Sequence, residues 1–109
     1  MQAQIRKASK QDLGKLTEFL TKANLGIEGL TEETVDYFLL LEDEGGKLKG
    51  SLGIEAFDGF GLLRSLVVSG GQAEKEIFIL FTQMLQLAKE RGMNSLFLAT
   101  NKNEGRVIF

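Results

Sequence analysis

The chemistry open to this chain is limited first by two missing residue types. None of its 109 residues is a histidine or a cysteine. That excludes thiolate nucleophiles, disulfides, zinc–thiolate sites and iron–sulfur clusters, and it removes the most common general base. Carboxylates, lysines, the single Tyr37 and main-chain amides remain. Two places in the chain could use them. Glu55 lies on the polar face of an alternating segment, where a carboxylate could accept an amine proton directly or through water. Gly70 and Gly71 open a loop between Leu66-Val67-Val68 and a long helical stripe. Backbone N–H groups at such a helix start can face a phosphate, aided by the helix dipole.

Both places depend on elements that can be read from hydrophobic spacing. Gln4 to Ala8 reads as a first strand anchored by Ile5. Ser9 with Asp12 three residues on is an acidic capping box, followed by the helical stripe Leu13, Leu16, Phe19, Leu20 and Ala23, which Asn24 and Gly26 end. Thr31 with Thr34 starts a shorter helical turn before Tyr37. Tyr37 to Leu41 is a continuous apolar run, and residues 42–47 form a turn. Leu48 to Phe57 alternates with period two, Asp58-Gly59 predicts a type I′ hairpin, and Phe60 to Val68 returns, completing a three-strand antiparallel meander. If the turn has two residues, Glu55 pairs with Leu62 and Arg64 lies diagonal to Glu55.

Glu74 to Arg91 is a long helix carrying Ile77, Phe78, Leu80, Phe81, Met84, Leu85 and Ala88, with Gly92 as its C′ glycine. Its periodicity assigns Phe78 and Phe81 to the core. Ser95 to Ala99 is apolar on both faces, as a buried parallel strand requires. The order is β-α-(α)-β-β-β-α-β, an α+β chain ending in a parallel βαβ unit.

Length and composition bound the function classes. A chain this short forms one domain, residues 1–109. With 13 basic and 15 acidic residues the net charge is −2, so no basic excess points to nucleic acid. No apolar stretch approaches the length of a membrane span, and the polar start Met1 to Lys10 is no signal peptide. A soluble, cytoplasmic protein is expected. Seven acids and no bases occupy residues 28–44; they could attract a cationic amine or form a solvated face. Lys7, Lys10, Lys15 and Lys22 give the first helix a basic, ordinary surface.

Taken in order, these segments resemble the GNAT superfamily of acyl-CoA-dependent N-acetyltransferases. Ile5-Arg6-Lys7-Ala8 with Asp12-Leu13 looks like its opening strand and helix. Gly50 to Glu55 looks like its third strand and Leu62 to Val68 like its fourth. Ala88 to Gly92 with Leu96 to Asn101 resembles the end of its third helix and its fifth strand. The resemblance implies that the fourth and fifth strands splay and admit acetyl-CoA. Main-chain groups of Leu66, Val67 and Val68 would pair with the pantetheine arm. The pyrophosphate would rest on Gly70, Gly71, Gln72, Ala73, Glu74 and Lys75, with Asn101 also contacting the cofactor. An amine would attack the thioester directly in a ternary complex, with Glu55 as base and Arg64 and Ser65 lining the acceptor side.

The chain departs from that pattern in two places. The family's loop reads Arg or Gln, two residues, Gly, one residue, then Gly or Ala. Here Gln72 fits the first position, but Lys75 and Ile77 stand where the small residues would be, with Glu74 and Glu76 beside them. The usual C-terminal helix, often bearing a tyrosine that protonates the departing thiolate, and the last strands are not matched before Phe109. Solvent would then supply that proton. A bare fifth-strand edge would follow, so a homodimer is expected, with a tail strand near Val107 to Phe109 contributed across the interface. Three alternatives stay open: Glu55 as partner of Arg64 in a cross-strand ion pair, a catalytically inactive GNAT-like binding or assembly module, and a small ferredoxin-like regulatory domain, against which the extra strand argues.

Overall fold

A computed structural model describes residues 4–69, 73–99 and 105–107. Strand β1 (Gln4–Lys7) leads through a 3-10 turn (Lys10–Asp12) into helix α1 (Leu13–Lys22). A loop and a second 3-10 turn (Val35–Tyr37) reach β2 (Phe38–Glu42), followed by β3 (Leu48–Phe57), β4 (Phe60–Val68), helix α2 (Ala73–Glu90), β5 (Ser95–Ala99) and β6 (Gly105–Val107). The six strands form one sheet in sequence order, and only β4 and β5 run parallel. The expected α+β order therefore holds, with one strand added after β5.

Each face of the sheet carries one helix. On the α1 face, Leu16 and Leu20 pack with Val35, Phe38, Leu40 and Leu48; on the α2 face, Leu80 and Met84 pack with Leu39, Leu52, Ile54, Leu63 and Leu96. Strand β2, fully buried, supplies both clusters, which explains its unbroken apolar run. Gly53 lies under Phe38 so closely that a Cβ there would come within 2.6 Å of the ring's Cζ.

Four expectations need correction. Phe78 is 71% exposed, not core, because the face of α2 that meets the sheet runs through Leu80, Met84, Leu87 and Ala88, with Phe78 nearly opposite. The 57–60 hairpin has the expected register, but among the described non-glycine residues only Asn24 and Ser65 have positive φ. Gly59 alone (φ 83°) is left-handed, so the turn is not type I′, which needs both central residues there. The expected bare edge of β5 is paired from Phe97 to Ala99. That pairing comes from Gly105–Val107 of the same chain, not from a partner's tail.

The N-terminal segment is tied down by charge. Ser9 N–H donates to Asp12 Oδ2 (2.8 Å), the reciprocal half of the predicted capping box. The Arg6 guanidinium then forks between two carboxylates, donating to both oxygens of Asp12 (2.7 and 2.9 Å) and both of Glu42 (2.9 and 3.0 Å). Lys15 Nζ adds a bond to Glu42 Oε2 (3.2 Å). Both acids are largely buried. The hydrogen bonds from Arg6 outweigh burial and hold both carboxyls below the usual carboxylate range.

Because the unfolded chain binds protons on these acids at higher pH than the fold does, their stabilisation is complete above the ordinary carboxylate range. It is lost as pH falls through it. Urea unfolding midpoints should be flat between neutrality and about pH 5 and fall below about pH 4. Arg6→Leu should cost about 2–3 kcal/mol at neutral pH, somewhat under the figure for a fully buried pair because Arg6 is 38% exposed. It should also flatten the acid limb. An acid limb as steep as that of the unaltered chain would remove this network as its source.

Candidate functional site

The β4 strand is paired differently along its two edges. Against β3 it is paired from Phe60 to Val68, whereas against β5 the ladder runs only from Phe60–Ser95 to Leu63–Leu98. From Arg64 to Val68 the β5 side of β4 has no strand partner among the described residues. Among the described residues the ladder shared by the two parallel strands thus ends at Leu63–Leu98, while β4 itself continues to Val68.

A bulge in β4 lies just beyond that point. Ser51 faces Val67 and Gly53 faces Arg64, so Ser65 and Leu66 together oppose Leu52. Ser65 takes the extra position in the left-handed region (φ 59°). The hydroxyl of fully buried Ser51 donates to the Ser65 carbonyl (2.7 Å) and fixes the distortion.

Beside the bulge lie two adjoining cavities of about 360 and 370 Å³ that share Glu55 and Arg64. The first is completed by Leu25, Gly26, Glu28 and Ser65, and the second includes Thr34 and Tyr37. The structure thus brings together Glu55, Arg64 and Ser65 along one cavity beside β3 and β4. Glu55 is exposed and pairs with Leu62 across the strands. No ion pair joins it to Arg64. Arg64 instead donates from Nη1 to the Glu28 carbonyl (2.7 Å), from Nη2 to the Gly26 carbonyl (3.4 Å) and from Nε to Ser65 Oγ (3.3 Å). It ties the loop after α1 to the bulge.

Tyr37 was missed in sequence because the loop that returns it to the site has no periodicity. Its ring lies under the Arg91 guanidinium, 4.3 Å from the centroid, and Arg91 also pairs with Asp36 (3.3 Å). The cue available was the acidic segment 28–44, which holds Glu28 and Asp36.

Farther along β4, where the described ladder with β5 has ended, Leu66 is exposed and Val67 and Val68 are half-buried. Ala73 begins α2, and Glu74 and Lys75 are exposed in its first turn with Glu76 next to them. Carboxylates there favour the free helix start and oppose an anion by about 0.3–1 kcal/mol each. Gly70, Gly71, Gln72 and Asn101 lie outside the described residues. Among the described residues no cluster of acids could hold a metal ion, and no helix is long and apolar enough to cross a membrane.

This arrangement has known counterparts. Over 91% of the chain it superposes on Rv2747 from Mycobacterium tuberculosis, solved with CoA, at TM-score 0.69 and 21% identity. It also matches N-acetylglutamate synthase from Neisseria gonorrhoeae, solved with coenzyme A and L-arginine (TM-score 0.72, 22% identity, 92% of the chain), and a GNAT-family acetyltransferase from Staphylococcus aureus Mu50 (TM-score 0.71, 17% identity, 91% of the chain). The chain spans 65%, 24% and 74% of those three proteins. The fold is that of the GNAT acetyltransferases. In sequence, the chain is 36% identical over 101 residues to the uncharacterized protein YwlB of Bacillus subtilis (strain 168), covering 92% of itself and 68% of that protein. It belongs to the same family as YwlB. No family model matches it.

Two substitutions test the geometry. Ser65→Gly should change stability by less than about 1 kcal/mol, because relief of the left-handed strain offsets glycine's entropy. Ser65→Val, β-branched and unable to take that conformation easily, should cost about 2 kcal/mol or more. Equal losses in chemical denaturation would mean that backbone conformation at Ser65 does not matter. Arg64→Leu should accelerate amide exchange in residues 25–30 while leaving β3 protected. Unchanged exchange in the loop would show that Arg64 does not hold it.

Proposed function

We propose that this chain carries an N-acetyltransferase site moving an acetyl group from acetyl-CoA to a small primary amine. The observation that supports it best is the end of the described β4–β5 ladder at Leu63–Leu98, beside the bulge at Ser65. An extended pantetheine arm could pair there with main-chain groups of Leu66, Val67 and Val68 as an added strand would. The pyrophosphate would lie toward the loop of Gly70, Gly71, Gln72, Ala73, Glu74 and Lys75, with Asn101 also contacting the cofactor. The acceptor would enter through the cavities lined by Glu55, Arg64 and Ser65, with Glu28 at the rim of one of them.

In this reading the amine nitrogen attacks the thioester carbonyl while both substrates are held. Strand-four amides stabilise the developing oxyanion. Glu55 takes the amine proton, directly or through one water. The carbon–sulfur bond then breaks, and the thiolate leaves with a proton from solvent. A homodimer remains part of the reading, with the exposed rings of Phe57 and Phe60, stacked at 4.9 Å, the apolar surface it would cover.

A second reading, an inactive binding module on the same fold, is favoured by one observation, the acids Glu74 and Glu76 in the first turn of α2. Acetyl-CoA titration separates the two. A competent site should raise the melting temperature with ligand concentration by mass action. Because the chain contains no cysteine, thiol release can be followed in a panel of amines without protein background. Glu55→Gln should lower turnover about a hundredfold or more with an unchanged melting temperature. No shift at millimolar acetyl-CoA would sink the enzyme reading, and full turnover by Glu55→Gln would remove that residue's role.

A further inference from the structure

The largest cavity among those described, about 550 Å³, lies away from the acceptor side. It runs between α1 and the start of β3 and reaches the end of β4 at Val67 and Ser69. Four lysines line it, Lys15, Lys22, Lys47 and Lys49, against one carboxylate, Glu18. This is a local reversal of sign in a chain of net charge −2.

The four ammonium groups are not equivalent. Lys15 is fixed by Glu42 Oε2 (3.2 Å) and the Gly46 carbonyl (2.8 Å). Lys22 has only a long, exposed contact with Glu18 (4.0 Å). The ammonium groups of Lys47 and Lys49 have no hydrogen bond or ion pair among the described residues, although Lys49 is half-buried. Between these cations the floor is apolar, with the half-buried ring of Phe19 beside Leu48 and Val67. Clustered point charges over an apolar floor with one aromatic ring suit a ligand that joins phosphate groups to a planar base.

We propose that this lysine-lined groove is a nucleotide-phosphate site. Lys47 and Lys49 would bind the phosphates, Lys22 would swing from Glu18 to join them, and Phe19 would contact the base. The phosphates could belong to the nucleotide end of coenzyme A, in which case the proposal rests on the acetyl-transfer reading, or to a free nucleotide. The first source fits the charge pattern well. The conventional resting place at the start of α2 carries Glu74 and Glu76, whereas the groove meets the same end of β4 from the other face and carries the opposite sign.

The test uses the full chain and four probes: coenzyme A, ADP, pantetheine and inorganic tripolyphosphate, titrated by calorimetry with thermal shift in parallel. The variant Lys47→Gln/Lys49→Gln touches neither the Arg6 network nor the acceptor cavities, so its melting temperature without ligand should match the unaltered chain. It should bind ADP and coenzyme A about tenfold more weakly, while added salt should weaken the unaltered chain more than the variant. Phe19→Leu should reduce ADP binding but not tripolyphosphate binding. Coenzyme A tighter than ADP and sensitive to the double variant makes the cofactor the source; ADP as tight as coenzyme A makes it a free nucleotide.

Equal affinity of the variant and the unaltered chain for both nucleotides, or no nucleotide binding at all, would overturn the groove proposal. If acetyl transfer then persists, the acetyl-transfer reading survives without the groove. If coenzyme A binds through the lysines but no amine is acetylated, the groove stands and the enzyme reading falls.

Discussion

The constraint on which the site depends is one extra residue in β4, held by the bond from Ser51 Oγ to the Ser65 carbonyl. Leu63 packs on the α2 face of the sheet. Strict alternation would put Val67 on that face as well, yet Val67 joins the α1 cluster and Val68 the α2 cluster. Leu66, which alternation would turn toward α1, is 37% exposed. The bulge thus inverts the pleat and keeps the end of β4 packed on both sides. The close fit of Gly53 beneath Phe38 lets β3 follow β4 through the distortion without lifting off the α1 cluster.

The distorted end of β4 keeps its place only if the rest of the sheet is held firmly. Here the Arg6 fork contributes at a distance. It joins β1, the start of α1 and the end of β2 through Asp12 and Glu42, and Lys15 extends the same set from α1 to the β2–β3 turn. Helix α1 is thereby fixed over β2 and β3, and the loop that follows it falls where Arg64 can take its carbonyls. The helix is short, and its burial rests on Leu16 and Leu20, so a charged anchor at its start matters more than it would for a longer one.

Local pattern made much of this fold legible. The stripe from Leu13 to Ala23, the alternation of Leu48 to Phe57 and the glycine after α2 are each short-range signals, and each element lies where its signal puts it. Alternation singled out Glu55, and the resemblance of Leu62 to Val68 to a family strand singled out Arg64 and Ser65; the three line one cavity. The rest is long-range and left no local trace. A bulge depends on how two strands count against each other, so nothing around Ser65 announces it. Gly105–Val107 is too short to show a period, and Phe78 sits in an apolar stripe whose phase is decided by the sheet. Arg6 and Glu42 are 36 residues apart, and their pairing follows only once β1 and β2 are in register.

Charge in sequence misleads in the same way. The lysines of α1 look like ordinary helix surface, and Lys47 and Lys49 like the flank of a turn. Only the crossing of α1 over β3 gathers them into one groove, while the acids of residues 28–44 do not all go to the opposite side. Glu42 is drawn in under Arg6 and Lys15, Asp36 pairs with Arg91, and Glu28 alone among these three lines an acceptor cavity. The acidic run is thus partly consumed in holding the fold, and the field it offers a cationic acceptor is correspondingly weaker than its seven carboxylates suggest. The cavities on that side are shaped instead by Arg64 and the bulge, with Glu55 exposed between them.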